Sequence, residues 1–192
     1  FQKYKWNFLI SDNHLELGMP FTIADSIVLP EKLVNSVYME YISKKPLNKT
    51  FIETLIHEKI HVIQRDNQAA FNNMYKKRYN FIKGLYKEKP SKSVQKYHMN
   101  NPDSNNTLWI YEISGNKYYS ILKYSNGFCK SVGINIETDE EIDIDHMKLP
   151  DTHCKGNISV YHPNEIFACA VAKKIIKKKY KDLDIRYLKT LK

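Results

Sequence analysis

The feature that most constrains this chain is a pentapeptide inside a segment suited to helix, His57-Glu58-Lys59-Ile60-His61. Residues four apart share one face of a helix, one turn from each other, so a helix here sets two imidazoles side by side with a carboxylate next to the first. No Pro or Gly interrupts Thr50 to Arg65, and Phe51, Leu55, Ile56, Ile60, Val62 and Ile63 supply apolar surface on several sides. Such a helix belongs in the interior of a domain. Two His and a Glu buried on it are costly unless something binds them. Thr50 reads as the N-cap, with Glu53 at N3 completing a capping box.

A pair of His residues at this spacing suits zinc, and the Glu between them suits the role of base toward a water. Catalytic zinc takes three protein ligands and keeps an open position. The candidate third ligand lies in Tyr161-His162-Pro163-Asn164-Glu165-Ile166-Phe167-Ala168. Pro163 reads as the first residue of a helix, which puts Glu165 in its first turn. The apolar, mostly small residues from Ile166 to Ala172 predict burial, and a buried carboxylate needs a partner. A Glu in a first turn also favours the helix dipole without binding anything, so both readings stand at this point.

The run Thr54 to Ile63 resembles the extended consensus of HExxH zinc metallopeptidases. The metzincin continuation is absent, because Gln64 and Asn67 stand where that pattern has Gly and His. The Asn164-Glu165 pair resembles the gluzincin pattern, and the stretch Leu55–Arg65 with Asn101-Pro102-Asp103 resembles uncharacterised putative metallopeptidases of this type. The two gluzincin-like helices cover about a sixth of the chain. The resemblance implies an α+β, zincin-like fold, with the active-site helix and the Glu-ligand helix packed with a small antiparallel sheet or β-meander. It implies Zn2+ held by His57, His61 and Glu165, and a peptidase that hydrolyses peptide bonds through a zinc-activated water with Glu58 as general base. Tyr161 and His162 are its candidate oxyanion donors, with Tyr111 a weaker one; a core Tyr161 and a helix-capping His162 are equally compatible with the sequence. An edge strand holding an extended substrate is expected from Phe21 to Leu29, where a plain core strand reads equally well. Two departures stand out. Lys59 replaces an uncharged residue, roughly 200° around the helix from His57. Cys169 stands where many gluzincins carry an Asp that orients a zinc-binding His.

The competing function is a non-catalytic zinc-binding or structural protein, such as a virion component with a degenerate peptidase fold. An intact Glu58 speaks against it, since a pure binding site has no use for that base. The chain carries +9, and the stretch from Lys173 to Lys192 contributes nine basic and two acidic residues to it. Ile175, Ile176, Tyr180 and Leu183 make an apolar stripe there, so the lysines read as the solvated face of a packed helix and no nucleic-acid partner is expected. The expected partner is a peptide or protein substrate, and the sequence does not fix an oligomeric state. No segment is long and apolar enough to span a membrane. The first residues are no signal peptide, and the absence of Met reads as truncation or processing. Three widely spaced cysteines favour the cytoplasm or another reducing compartment without a disulfide framework, while leaving room for one bond. A second metal site drawn from Asp143, Asp145, His146, His153 and Cys154 fits no ligand spacing and reads as a solvated loop.

The length fits one domain, 1–192, or two lobes flanking a cleft, about 1–86 and 87–192. Strand is expected from Tyr4 to Ile10 and extended chain from Phe21 to Leu29. A helix opened by Pro30 follows to about Ser43, then the HExxH helix, Lys49 to Arg65. Phe71, Met74, Tyr75, Tyr79 and Ile82 predict a further helix from Gln68 to Tyr86. Lys87 to Asn106 reads as a long loop. Short strands are expected at Leu108–Ile113, Lys117–Tyr124, Phe128–Ile136 and Glu141–Ile144, the last a charged edge, with turns at Asn116, Asn126-Gly127 and Glu137-Thr138. The last helix starts at Pro163 and runs to about Tyr180.

Overall fold

The computed structural model describes residues 4–84, 92, 94, 108–125, 128–143 and 161–177. Its contacts divide into two compact units, Phe1–Asn67 with Val171–Lys192, and Gln68–Ala170. Among the described residues the chain is mixed α+β, with four α-helices and two small sheets.

The first unit holds β1 (Asn7–Ser11), β2 (Phe21–Ile23), β3 (Ser26–Pro30), α1 (Glu31–Ile42) and α2 (Lys49–Asp66). The strand order is β1-β3-β2. β1 runs parallel to β3, and β2 pairs with it antiparallel. The central strand β3 supplies Ile27 and Leu29, which pack with Val62 of α2, and Tyr4, Leu33, Val34, Phe51 and Leu55 close around them. Pro30 caps α1 with an extended ψ of 140°, so its fixed φ serves the entry into the helix. The expected extended run from Phe21 to Leu29 is instead a hairpin. Ala24 takes a φ of +50° and reverses the chain, which joins Ile23 to Ser26 through two residues.

The second unit begins with α3 (Gln68–Tyr79) and continues through β4 (Phe81–Lys83), β5 (Trp109–Ile113), β6 (Asn116–Ser125), β7 (Phe128–Asn135) and β8 (Glu141–Asp143). These five strands form an antiparallel meander in sequence order. Val94, Leu108, Ile121, Val132 and Ile134 make one apolar cluster with Tyr119 against it. A second core is aromatic, with Tyr75, Phe81 and His162 all set edge-on to Trp109. β8 is the edge strand expected from its charge, and Lys130 Nζ meets Asp143 at 3.0 Å. The β5–β6 turn falls at Ser114-Gly115, one position before the expected Asn116, because both residues take positive φ (51° and 81°), as a two-residue hairpin requires.

Helix α3 stops at Tyr79 rather than Tyr86. Asn80 adopts φ +56°, the left-handed conformation that Asn tolerates and that ends a helix, and Ile82 falls in a strand. The loop expected from Lys87 to Asn106 lies outside the described residues except at Lys92 and Val94, and those two are helical rather than loop. So do His146, His153 and Cys154. The last helix, α4 (Pro163–Lys177), starts as expected, and the residues after Lys177 lie outside the description. The helix begins in the second unit and ends in the first. Cys169, on this helix, is disulfide-bonded, the one bond for which the cysteine count left room. No helix among the described residues is long and apolar enough to cross a membrane.

Candidate metal centre

Helix α2 carries the pentapeptide, and its start differs from the expected one. Asn48, not Thr50, is the N-cap; it holds ψ at 129° and its side-chain oxygen accepts the Thr50 N–H at 2.8 Å. Thr50 already lies inside the helix, and its carbonyl accepts from the Thr54 hydroxyl. At the other end Asn67 closes the helix. Its N–H donates to the Gln64 carbonyl, and its amide donates to the Ile63 carbonyl and the Tyr4 hydroxyl.

Between these ends, Ile56 and the unbroken run from Glu58 to Gln64 are buried. The rings of His57 and His61 meet edge-on, with Nε2 of one 2.9 Å from Nε2 of the other. Two nitrogens on a tetrahedral zinc, each at about 2.05 Å, sit about 3.3 Å apart, so the pair is within a few tenths of an ångström of a chelating arrangement. The other nitrogen of His61, Nδ1, lies 2.7 Å from Oε1 of buried Gln64. Gln64 was noted in the sequence only as a departure from the metzincin pattern. Its readable signal is a polar residue one turn after His61, directly after the apolar pair Val62-Ile63.

Lys59 points elsewhere, as its angle on the helix requires. It is 0 % exposed. Its ammonium donates to the backbone carbonyl of Lys5 and sits 5.4 Å from the Trp6 ring and 5.9 Å from the Tyr4 ring. Burial pulls its pKa below the ordinary lysine value, against the opposing pull of Asp25 and Asp66. Arg65 reaches the β2–β3 hairpin, donating to the Ala24 carbonyl and to both oxygens of Thr22. In a hairpin closed by Ile23 and Ser26 through two residues, the Thr22 carbonyl points away from β3, off the edge of the sheet. Arg65 therefore takes the outward carbonyl of this short edge strand.

Helix α4 brings Glu165. Pro163 starts it without an N–H to satisfy, and His162 caps it, Nδ1 accepting the Asn164 N–H at 3.1 Å. That bond leaves the proton of a neutral His162 on Nε2. Tyr161 is buried; the Ser120 hydroxyl donates to its carbonyl, and its ring lies 5.9 Å from that of His162. Glu165, 8 % exposed, is followed by the buried side chains of Ile166, Phe167, Ala168 and Cys169. One ligand atom each from His57, His61 and Glu165 fall within 4.8 Å of one another, and they are the one group of three such residues among those described. Tyr111, by contrast, is built into β5 against Phe81, and burial pushes its hydroxyl above the ordinary tyrosine value.

Comparison with protein-family models, with curated proteins and with solved structures finds no match. The reading of the site therefore stands on its residues.

Proposed function

We propose that this chain is a zinc-dependent peptidase, with Zn2+ held by His57, His61 and Glu165 and Glu58 as general base, on a zincin-like arrangement of α2 and α4. One observation carries the reading: two imidazole Nε2 atoms 2.9 Å apart on one face of a helix, His61 buried and His57 half-buried, with Glu165 in the same group of ligand atoms within 4.8 Å. The donor set suits the metal, since two His and a carboxylate leave a position open as catalytic zinc sites do.

The ion, when bound, supplies Lewis-acid activation of a water and of the substrate carbonyl. The rest falls to the chain. Glu58 is 5 % exposed and directly follows His57 on the helix, so its carboxylate oxygen takes the water's proton at a fixed place. The water oxygen bonds to the carbonyl carbon, and the same carboxyl returns that proton to the amine nitrogen as the peptide C–N bond breaks. His162, with its Nε2 proton, is the proposed donor to the oxygen that gains charge, and Tyr161 the alternative. The substrate is a peptide or protein.

Metal analysis of the purified chain beside His57→Ala, Glu165→Ala and Glu58→Gln tests this. About one zinc per chain is expected in wild type and Glu58→Gln, with loss in the other two. A peptide-library digest is then expected to show cleavage by wild type and none by Glu58→Gln. Full zinc retention in His57→Ala overturns the site. Zinc without cleavage of any peptide or protein overturns the peptidase and leaves a non-catalytic zinc-binding protein.

A further inference from the structure

We infer that Gln64 is the positioning residue for the metal centre: it fixes the tautomer and ring orientation of His61, so that Nε2 is offered as a lone pair. The inference rests on the zinc reading of the site but concerns a side chain outside the pentapeptide and outside the three ligands.

Both His61 nitrogens are committed. Nε2 faces His57, and Nδ1 lies 2.7 Å from Gln64 Oε1. An amide oxygen only accepts, so the shared proton belongs to Nδ1. A neutral imidazole with its proton there carries a lone pair at Nε2, the atom that faces the metal position. The opposite tautomer puts a proton where the ion must bind and turns two lone pairs toward each other between side chains that are 1 % and 2 % exposed. Buried acceptors set against each other are strongly unfavourable, so the contact selects one form of the ring.

The placement is local. Gln64 lies three residues after His61 on the same helix, so their separation is set by helix geometry alone. The ring is held in its ligating form before any ion arrives. Metal-bound His residues depend on such a partner for orientation and basicity. On α4, Cys169 cannot play this part, because its sulfur is in a disulfide.

The test is a nitrogen-15 NMR spectrum of the His61 ring in metal-free protein, beside zinc titrations of wild type, Gln64→Leu and Gln64→Glu. Wild-type His61 is expected as the Nδ1–H tautomer. Gln64→Leu keeps the bulk and removes the acceptor; it is expected to lose that tautomer preference and to bind zinc about 10- to 100-fold more weakly. Gln64→Glu restores an acceptor, and with it the tautomer and most of the affinity. An Nε2–H ring in wild type overturns the inference, and this measurement needs no variant to fold. So does a Gln64→Leu protein with unchanged tautomer and unchanged affinity. A wild-type chain that takes up no zinc overturns the proposed function instead, and the metal-free spectrum still decides what Gln64 does.

Discussion

Lys59 offers a test of what the interior of α2 is made for. Its side chain is wholly buried, yet its ammonium ends at a backbone carbonyl beside two aromatic rings. Two accounts of its value predict different orders of stability. If the stem matters, truncation to Ala removes three buried methylenes at about 0.8 kcal/mol each, roughly 2.4 kcal/mol, with a further loss for any cavity left. Met keeps most of that stem. It forfeits the carbonyl bond and the ring contacts, worth about 0.5–1 kcal/mol each where the rings are partly exposed. It also sheds the desolvation of the ammonium, whose cost is visible in the lowered pKa of Lys59. The Lys5 carbonyl loses little, because Lys5 is exposed and water replaces the donor. Lys59→Met is therefore expected within about 1 kcal/mol of wild type, and Lys59→Ala about 2–3 kcal/mol below it. Urea unfolding in the presence of a chelator measures both without any contribution from metal binding. Equal losses of 2 kcal/mol or more in the two variants would refute the reasoning and assign the stability to the charge.

Three further outcomes are expected. Asn48→Ala removes the cap of α2 and costs about 1 kcal/mol, while Asn48→Asp keeps the acceptor and costs little, as read by thermal unfolding. For Tyr111, the folded chain favours the neutral hydroxyl, so the unfolded chain ionises first; the stabilising contribution is complete below the ordinary value of 10.0 and lost as the pH rises through the folded value. Tyr111→Phe removes that contribution, and its urea midpoint is expected to fall less steeply than that of wild type above pH 10.0; parallel slopes would contradict it. Reduction of the bond at Cys169 is expected to lower stability by about 2–4 kcal/mol, read as a drop in Tm with dithiothreitol that Cys169→Ser reproduces without the reductant.

What was legible in the sequence followed from patterns with one physical solution. Pro30 and Pro163 each open a helix, because a fixed φ and a missing N–H suit that place. The meander from Trp109 to Asp143 was readable from alternation and polar turns. The errors fall where two residues offered the same chemistry, or where a turn begins at a residue other than Gly or Pro. Asn48 and Thr50 are both capping residues two positions apart, and only the backbone angles decide between them. Asn80 ends α3 by a left-handed conformation that its side chain allows but does not announce, so the apolar spacing through Ile82 read as more helix. Ala24 turns the hairpin against its own preference. In the candidate site, the residue types and spacing of His57, Glu58, His61 and Glu165 carried the reading. Gln64 was missed because its role depends on which way a neighbouring ring faces, and no one-dimensional pattern records that.

The first unit is not continuous along the chain: its parts up to Asn67 and from Val171 are separated by the whole of the second. Bringing the ends of a flexible 103-residue segment together costs about 4 kcal/mol of loop-closure entropy. A ribosome makes Asn67 well before Val171, at roughly 5–20 residues per second, so the early strands and α2 wait about 5–20 seconds for their last helix. During that interval the unit is unfinished, and Phe8, Ile10, Tyr41 and Ile42 are apolar side chains exposed even in the finished chain. Synthesis is therefore the stage at which this protein is most open to aggregation. Stops placed between residues 67 and 171 will yield chains that cannot complete the first unit, however well the meander folds.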